Sequence, residues 1–147
     1  MSELLYKEES FKIIGLCMEV HRELGSGQDE VIYKDALEVE CRRNAVSFVR
    51  ERKYEVEYKG VVLPHYYFGD FVVFDKILLE AKACERLTEA HVKQVLNYLA
   101  VSKLKLGLLV NFGEESLTWK RVIRSETKPA GPIDLQGLNS RKSAQSV

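Results

Sequence analysis

The stretch from Gly69 to Ala83, GDFVVFDKILLEAKA, constrains the fold more than any other part of the chain. It reads as two apolar strands, Tyr66 to Phe74 and Ile77 to Ala83, joined near Asp75-Lys76. Side chains on a strand alternate between faces, so Glu80 and Lys82 share a face. The face taken by Asp70 depends on the register. A two-residue loop pairs Phe74 with Ile77 and leaves Asp70 opposite Ala81, on the wrong face. A three-residue loop, Phe74-Asp75-Lys76, pairs Val73 with Ile77 and sets Asp70 opposite Glu80. Such loops are common, and a slip of one residue flips every side chain. In the second register one face carries Phe68, Asp70, Val72, Leu78, Glu80 and Lys82. The other carries Gly69, Phe71, Val73, Ile77, Leu79, Ala81 and Ala83, all small or apolar. That separation favours the three-residue loop and gathers the charges into one cluster.

The rest of the chain supplies helices and further strands. Roughly Leu4 to Leu24 has helical periodicity, with Phe11, Ile14, Met18 and His21 on one stripe and Cys17 beside them. Gly25-Ser26-Gly27 stops it. A second helix runs from about Asp29 to Asn44, with Asp29 and Glu30 at its start and Arg42 and Arg43 at its end, as the helix dipole prefers. Ser47 to Lys59 alternates as a strand, Gly60 turns the chain, and Val61 to Leu63 continues the sheet before Pro64. Thr88 to Ser102 is a third helix with Thr88 as its N-cap. Leu104 to Phe112, LKLGLLVNF, is a continuous apolar run of the kind found in a central strand. Trp119 to Arg124 is the last strand. The order α-α-β-β-β-α-β-β predicts a mixed sheet flanked by helices, in the α/β or α+β range.

Composition narrows the setting. The 147 residues suit one domain, expected over residues 1–124. Residues 125–147 contain two of the three prolines and no aromatic residue, and are expected to form a flexible tail. Twenty-two basic and 22 acidic side chains cancel, so any nucleic-acid binding needs a local basic face. The three cysteines are widely spaced and form no CxxC pair, which predicts free thiols in a reducing compartment. The first residues, MSELLYKEES, lack a signal peptide's apolar core, and no apolar run approaches the ~20 residues that span a bilayer. A cytoplasmic protein without a membrane partner is expected.

The charged cluster has a chemical reading. Two carboxylates held opposite each other repel, and a divalent cation between them removes the penalty. Mg²⁺ takes one or two carboxylates and completes its shell with water and phosphate oxygens. A lysine two residues after the glutamate can then stabilise charge on a phosphate or orient a water nucleophile. This is the logic of metal-assisted phosphodiester hydrolysis. The plainer reading is a surface ion pair of Lys82 with Glu80 or Asp70, and an arbitrary D-x9-E-x-K pattern favours it.

The wider sequence favours the metal reading. Gly27 to Tyr33 matches GxxExxY. It follows Val20-His21-Arg22-Glu23-Leu24-Gly25 and precedes GDFVVFDKILLEAKA, HVKQVLNYL and LGLLVNFG. Together these resemble the GxxExxY protein family, a branch of the PD-(D/E)XK nuclease-like superfamily, over about Phe11 to Arg124. The resemblance implies a restriction-endonuclease-like core and a Mg²⁺- or Mn²⁺-dependent nuclease acting on nucleic acid, with DNA the expected substrate. By position, Asp70 matches the superfamily aspartate and Glu80-Ala81-Lys82 its E-x-K. Asp70, Glu80 and the Ala81 carbonyl would hold the metal, and Lys82 would act on the reacting phosphate. Glu30 matches the glutamate supplied from the first helical region and would reach the metal or its water, and Gln94 to Tyr98 matches the Q-x-x-x-Y of exonuclease-type members, with Gln94 completing the site. Gly69 stands where the superfamily name has proline.

Other residues have weaker claims. Tyr33 shares a helix face with Glu30 and is a candidate substrate contact. Tyr98 is another, since aromatics stack on bases, although packing is its commoner use. His91, near Thr88, suits capping better than catalysis. Lys93, Lys103, Lys105, Lys120 and Arg121 are available for phosphate contacts but equally suit a solvated surface. His21 reads as a satisfied core histidine, and Cys84 has no base at nucleophile spacing. A homodimer is compatible with the sequence. The competing function is a catalytically idle nuclease-like domain that binds nucleic acid or protein.

Overall fold

The computed structural model describes residues 4–125. Apart from Ser125, the expected tail lies outside the described residues. The elements are α1 (Lys7–Leu24), α2 (Glu30–Arg43), β1 (Phe48–Tyr58), β2 (Val61–Val73), β3 (Ile77–Lys82), α3 (Glu89–Ser102), β4 (Leu106–Asn111) and β5 (Thr118–Ile123). The expected order is present. The five strands form one sheet in sequence order, antiparallel except for the β3–β4 pair. That parallel pair needs a crossover, and α3 is its helix.

The strands' two faces carry two cores. Phe71, Val73, Ile77, Leu79 and Ala81 join Leu106, Leu108, Val110 and Phe112 beneath α1 and α2. Val72, Leu78, Leu109 and Val122 pack with Val95 and Leu99 of α3 on the opposite face. Helices on both faces explain why β3 and β4 are buried nearly throughout. Gly107 lets α3 approach closely: a Cβ there would meet Val95 at 2.5 Å. No helix among the described residues is long and apolar enough to cross a membrane.

The hairpin has the expected register, with Val73 paired to Ile77, Val72 to Leu78 and Phe71 to Leu79. Phe74 and Asp75 take left-handed backbone, and the Lys76 N–H donates to the Val73 carbonyl at 3.1 Å. Period-two alternation then breaks at Asp70. A Cβ on Gly69 would meet Leu78 Cδ1 at 2.8 Å, and Tyr67 packs edge-on against Tyr98 of α3 at 4.9 Å. Gly69 and Tyr67 therefore share the α3 face, where strict alternation put Phe68. On β1, Glu51 lies between the paired residues Arg50 and Arg52 and has a left-handed backbone, φ 56°. The register is the same on either side of Glu51, so this irregularity lies opposite Asp70, where the alternation on β2 breaks.

Three other expectations are corrected. Val61 to Val73 is one strand that runs through Pro64. Glu55 pairs with Tyr66 and Glu57 with Val62, so Leu63, Pro64 and His65 oppose Val56 in a bulge. Proline is tolerated there because ladder pairing is already interrupted. On α1 the buried side is Ser10, Ile13, Ile14, Leu16, Cys17 and Val20, while Phe11 and Met18 are exposed. Arg121 is no phosphate contact either: its guanidinium donates to Ser10 Oγ (2.8 Å) and the Leu5 carbonyl (2.6 Å), tying β5 to α1.

Candidate active site at the end of the β2–β3 ladder

The ladder between β2 and β3 stops after Phe71 and Leu79, and side chains take over its hydrogen bonds. The Asp70 N–H donates to Glu80 Oε1 (3.3 Å), and the Ala81 N–H donates to Asp70 Oδ2 (2.9 Å). The two carboxylates are thus held face to face by each other's strands. Glu80 is 4% exposed. Burial, and then the negative charge of Asp70, push its carboxyl up to about 9. A carboxylate pair with one member buried and the other only 14% exposed is a poor structural device.

The backbone around it points the same way. The Lys82 carbonyl accepts from the Phe112 N–H on the β4 side at 2.8 Å. Successive carbonyls of a strand point in opposite directions, so the Ala81 carbonyl is directed to the β2 side, beside Asp70. Lys82 projects on the α3 face, and its ammonium donates to Gln94 Oε1 at 3.5 Å. Asp70, Glu80, Lys82 and Gln94 therefore converge at one end of the sheet. Tyr98 flanks them. Burial first, then Glu80 and Asp70, push its phenol up to about 12, so it stays neutral. Its edge-on packing on Tyr67 makes it a wall rather than a free stacking platform.

Other candidates lie elsewhere. Tyr33 is fully buried and stacks on Phe112 at 4.7 Å. Its hydroxyl donates to the Gly25 carbonyl (2.5 Å) and accepts from the Gln28 N–H (3.1 Å). The tyrosine of GxxExxY thus pins the loop between α1 and α2, and a substrate contact is ruled out by burial. His91 caps α3: its Nδ1 accepts from the Thr88 N–H (3.0 Å), and the His91 N–H donates to Thr88 Oγ1 (3.4 Å). Burial, then the charge on Lys82, lower its pKa, which keeps that acceptor nitrogen unprotonated. His21 meets the Glu114 carbonyl at 2.9 Å. Cys17, Cys41 and Cys84 are free thiols.

Glu30 does not touch Asp70 or Glu80 directly. It is linked to Asp70 through Lys34, which sequence reasoning missed. The Lys34 ammonium lies 3.2 Å from Asp70, 3.6 Å from Glu51 and 3.7 Å from Glu30. Burial lowers its pKa, but Asp70, Glu51 and Glu30 outweigh that and leave it raised. Asn111 was missed as well. Fully buried at the end of β4, it faces Lys82 across the parallel ladder. Its side chain accepts from the Cys84 and Gly113 N–H groups and donates to the Cys84 carbonyl and Glu114. The only advance signal was a polar residue inside the apolar run LKLGLLVNF.

The donor set fits a hard divalent ion. Two carboxylates and a main-chain carbonyl are the oxygen ligands that Mg²⁺ or Mn²⁺ prefers. Among the described residues no three His, Cys, Asp or Glu side chains gather closely enough to hold a metal by themselves. Water or phosphate oxygens would have to complete the shell.

Comparison with known proteins bears on the fold and the family. No curated protein matches the chain. Among solved structures it is similar to one described as "Crystal structure of SSO0001", with 18% identity and a TM-score of 0.55 over 76% of this chain. The match spans 55% of that longer chain, and at this identity it speaks for the fold alone. A family model described as PD-(D/E)XK nuclease superfamily matches residues 7–122. With that match covering all three helices and all but the last residue of the sheet, the chain belongs to the PD-(D/E)XK nuclease superfamily.

Proposed function

We propose that the protein is a Mg²⁺- or Mn²⁺-dependent nuclease of the GxxExxY branch, hydrolysing phosphodiester bonds in DNA. The observation that carries this reading is the pairing of buried Glu80 with the partly buried Asp70, each carboxylate bonded to the other's strand, with Lys82 beside it on the same face as Glu80. Asp70, Glu80 and the Ala81 carbonyl would hold the ion. When bound, it would neutralise the carboxylate pair and supply Lewis-acid activation of water and phosphate. DNA as substrate rests on superfamily analogy.

The chain's own residues do the rest. Asp70 and Glu80 fix one another, so the ligand geometry is set before a substrate arrives. The Lys82 ammonium places positive charge where a phosphate's charge grows in the transition state. Gln94 holds that ammonium from α3 and has its amide available to orient the attacking water. Tyr98 and Tyr67 wall the site and limit competing water.

Lys82→Met separates the roles. Divalent-metal affinity is expected to stay within about threefold of wild type, while Mg²⁺-dependent cleavage of labelled single- or double-stranded DNA falls about 10²- to 10³-fold. A variant that cleaves at the wild-type rate contradicts the role given to Lys82. A folded wild-type protein that binds DNA with no cleavage supports the idle binding module instead.

A further inference from the structure

We propose that Lys34 is a tethered counter-cation of this site, and that a divalent ion reaching Asp70 has to displace its ammonium. The inference rests on the metal reading of Asp70 and Glu80 and extends it to how the metal enters. Both oxygens of Asp70 are occupied within the chain: Oδ2 accepts from the Ala81 N–H, and Oδ1 accepts from Lys34. The main-chain donor belongs to the sheet and stays. The lysine is the partner that can yield. Its side chain is only 13% exposed, so it is held inward rather than extended into solvent.

The surroundings explain how it yields. An ammonium offers three donors, and three carboxylates surround this one. Asp70 is nearly buried, whereas Glu30 and Glu51 are about half exposed. A flexible four-carbon stem lets the ammonium leave Asp70 and remain paired to the outer two. Glu30 and Glu51 then act as the holding position for Lys34. The left-handed backbone of Glu51 places that residue beside Asp70. In the metal-free protein the lysine balances the acid cluster, and it weakens metal binding by the strength of its own hold on Asp70.

The test is Mg²⁺ titration calorimetry on wild type, Lys34→Met and Lys34→Gln. It is read together with the NMR resonance of ¹³C-methylated Lys34 in the wild type. Both variants are expected to bind Mg²⁺ about tenfold more tightly, the equivalent of one partly buried ion pair. Saturating Mg²⁺ should move the Lys34 resonance toward those of exposed lysines. Lys34→Gln keeps the test open if the apolar variant does not fold. Equal or weaker affinity in the variants, or a Lys34 resonance unmoved at saturation, overturns the displacement and leaves the metal site standing. Absence of Mg²⁺ binding in all three proteins overturns both readings.

Discussion

Replacing Glu80 with glutamine is expected to stabilise the metal-free protein at neutral and alkaline pH while removing its divalent-metal affinity. Glu80 is buried and faces Asp70, and burial followed by that charge raises its carboxyl to about 9. The unfolded chain releases this proton in the ordinary carboxylate range. Between that range and about pH 9 the folded state therefore binds the extra proton, and its stability falls as pH rises. Below the unfolded value the penalty is absent; above the folded value it is complete. Glutamine keeps the shape and the oxygen that accepts from the Asp70 N–H, but has no proton to lose. The gain should be about 2 to 4 kcal/mol at pH 8 and near zero at pH 4. Urea unfolding of both proteins across pH 4 to 9 measures it. Parallel stability curves would contradict the account of Glu80.

Asn111→Leu is expected to destabilise the protein by about 3 to 5 kcal/mol, with a fall in Tm on the order of 10 °C or more. Leucine is close in size, so the loss is not a cavity. It comes from the Cys84 N–H, the Cys84 carbonyl and the Gly113 N–H, all of which use the Asn111 amide. Burying such groups without partners costs more than the net worth of the bonds. The corner has no slack: a Cβ on Gly113 would meet the Cys84 backbone at 2.4 Å. Because Asn111 clamps the segment just after Lys82, activity should fall further than unfolding alone explains. Thermal unfolding checks the first part, and cleavage assays well below Tm the second. A Tm within about 2 °C of wild type would mean the corner is held by other interactions.

What the sequence revealed follows from which forces are local. The hairpin register was legible because the run Phe71 to Val73 and Ile77 to Leu79 is buried throughout and pairs in the register that sets Glu80 and Lys82 on one face. The capped start of α3 was legible because Thr88 and His91 are three residues apart. The α1 stripe was misread because Phe11, Ile14 and Met18 and the set Ile13, Cys17 and Val20 both fit helical spacing. The sheet beneath α1 buries the second set together with Ile14 and leaves Phe11 and Met18 out, a choice periodicity alone cannot make. The flip at Asp70 was hidden because Glu51 is not a glycine, so nothing in the sequence announced its left-handed backbone. Lys34 lies 36 residues from Asp70 and Asn111 lies 27 from Cys84. Such partners are set by strand pairing and helix docking, which no short motif contains. Asp70 and Glu80 stood out because their chemistry conflicts with their apolar strands.

The central claim is that the Asp70–Glu80 pair holds a catalytic divalent ion. Its most direct test is Mg²⁺ and Mn²⁺ calorimetry on wild type and Asp70→Asn, with cleavage of labelled single- and double-stranded DNA followed in the same samples. Asparagine keeps an oxygen for the Ala81 N–H, so the strands stay joined. The account predicts metal binding by wild type, loss of that binding in Asp70→Asn, and cleavage that disappears with it. A folded wild-type protein that neither binds the ions nor cleaves DNA would contradict it.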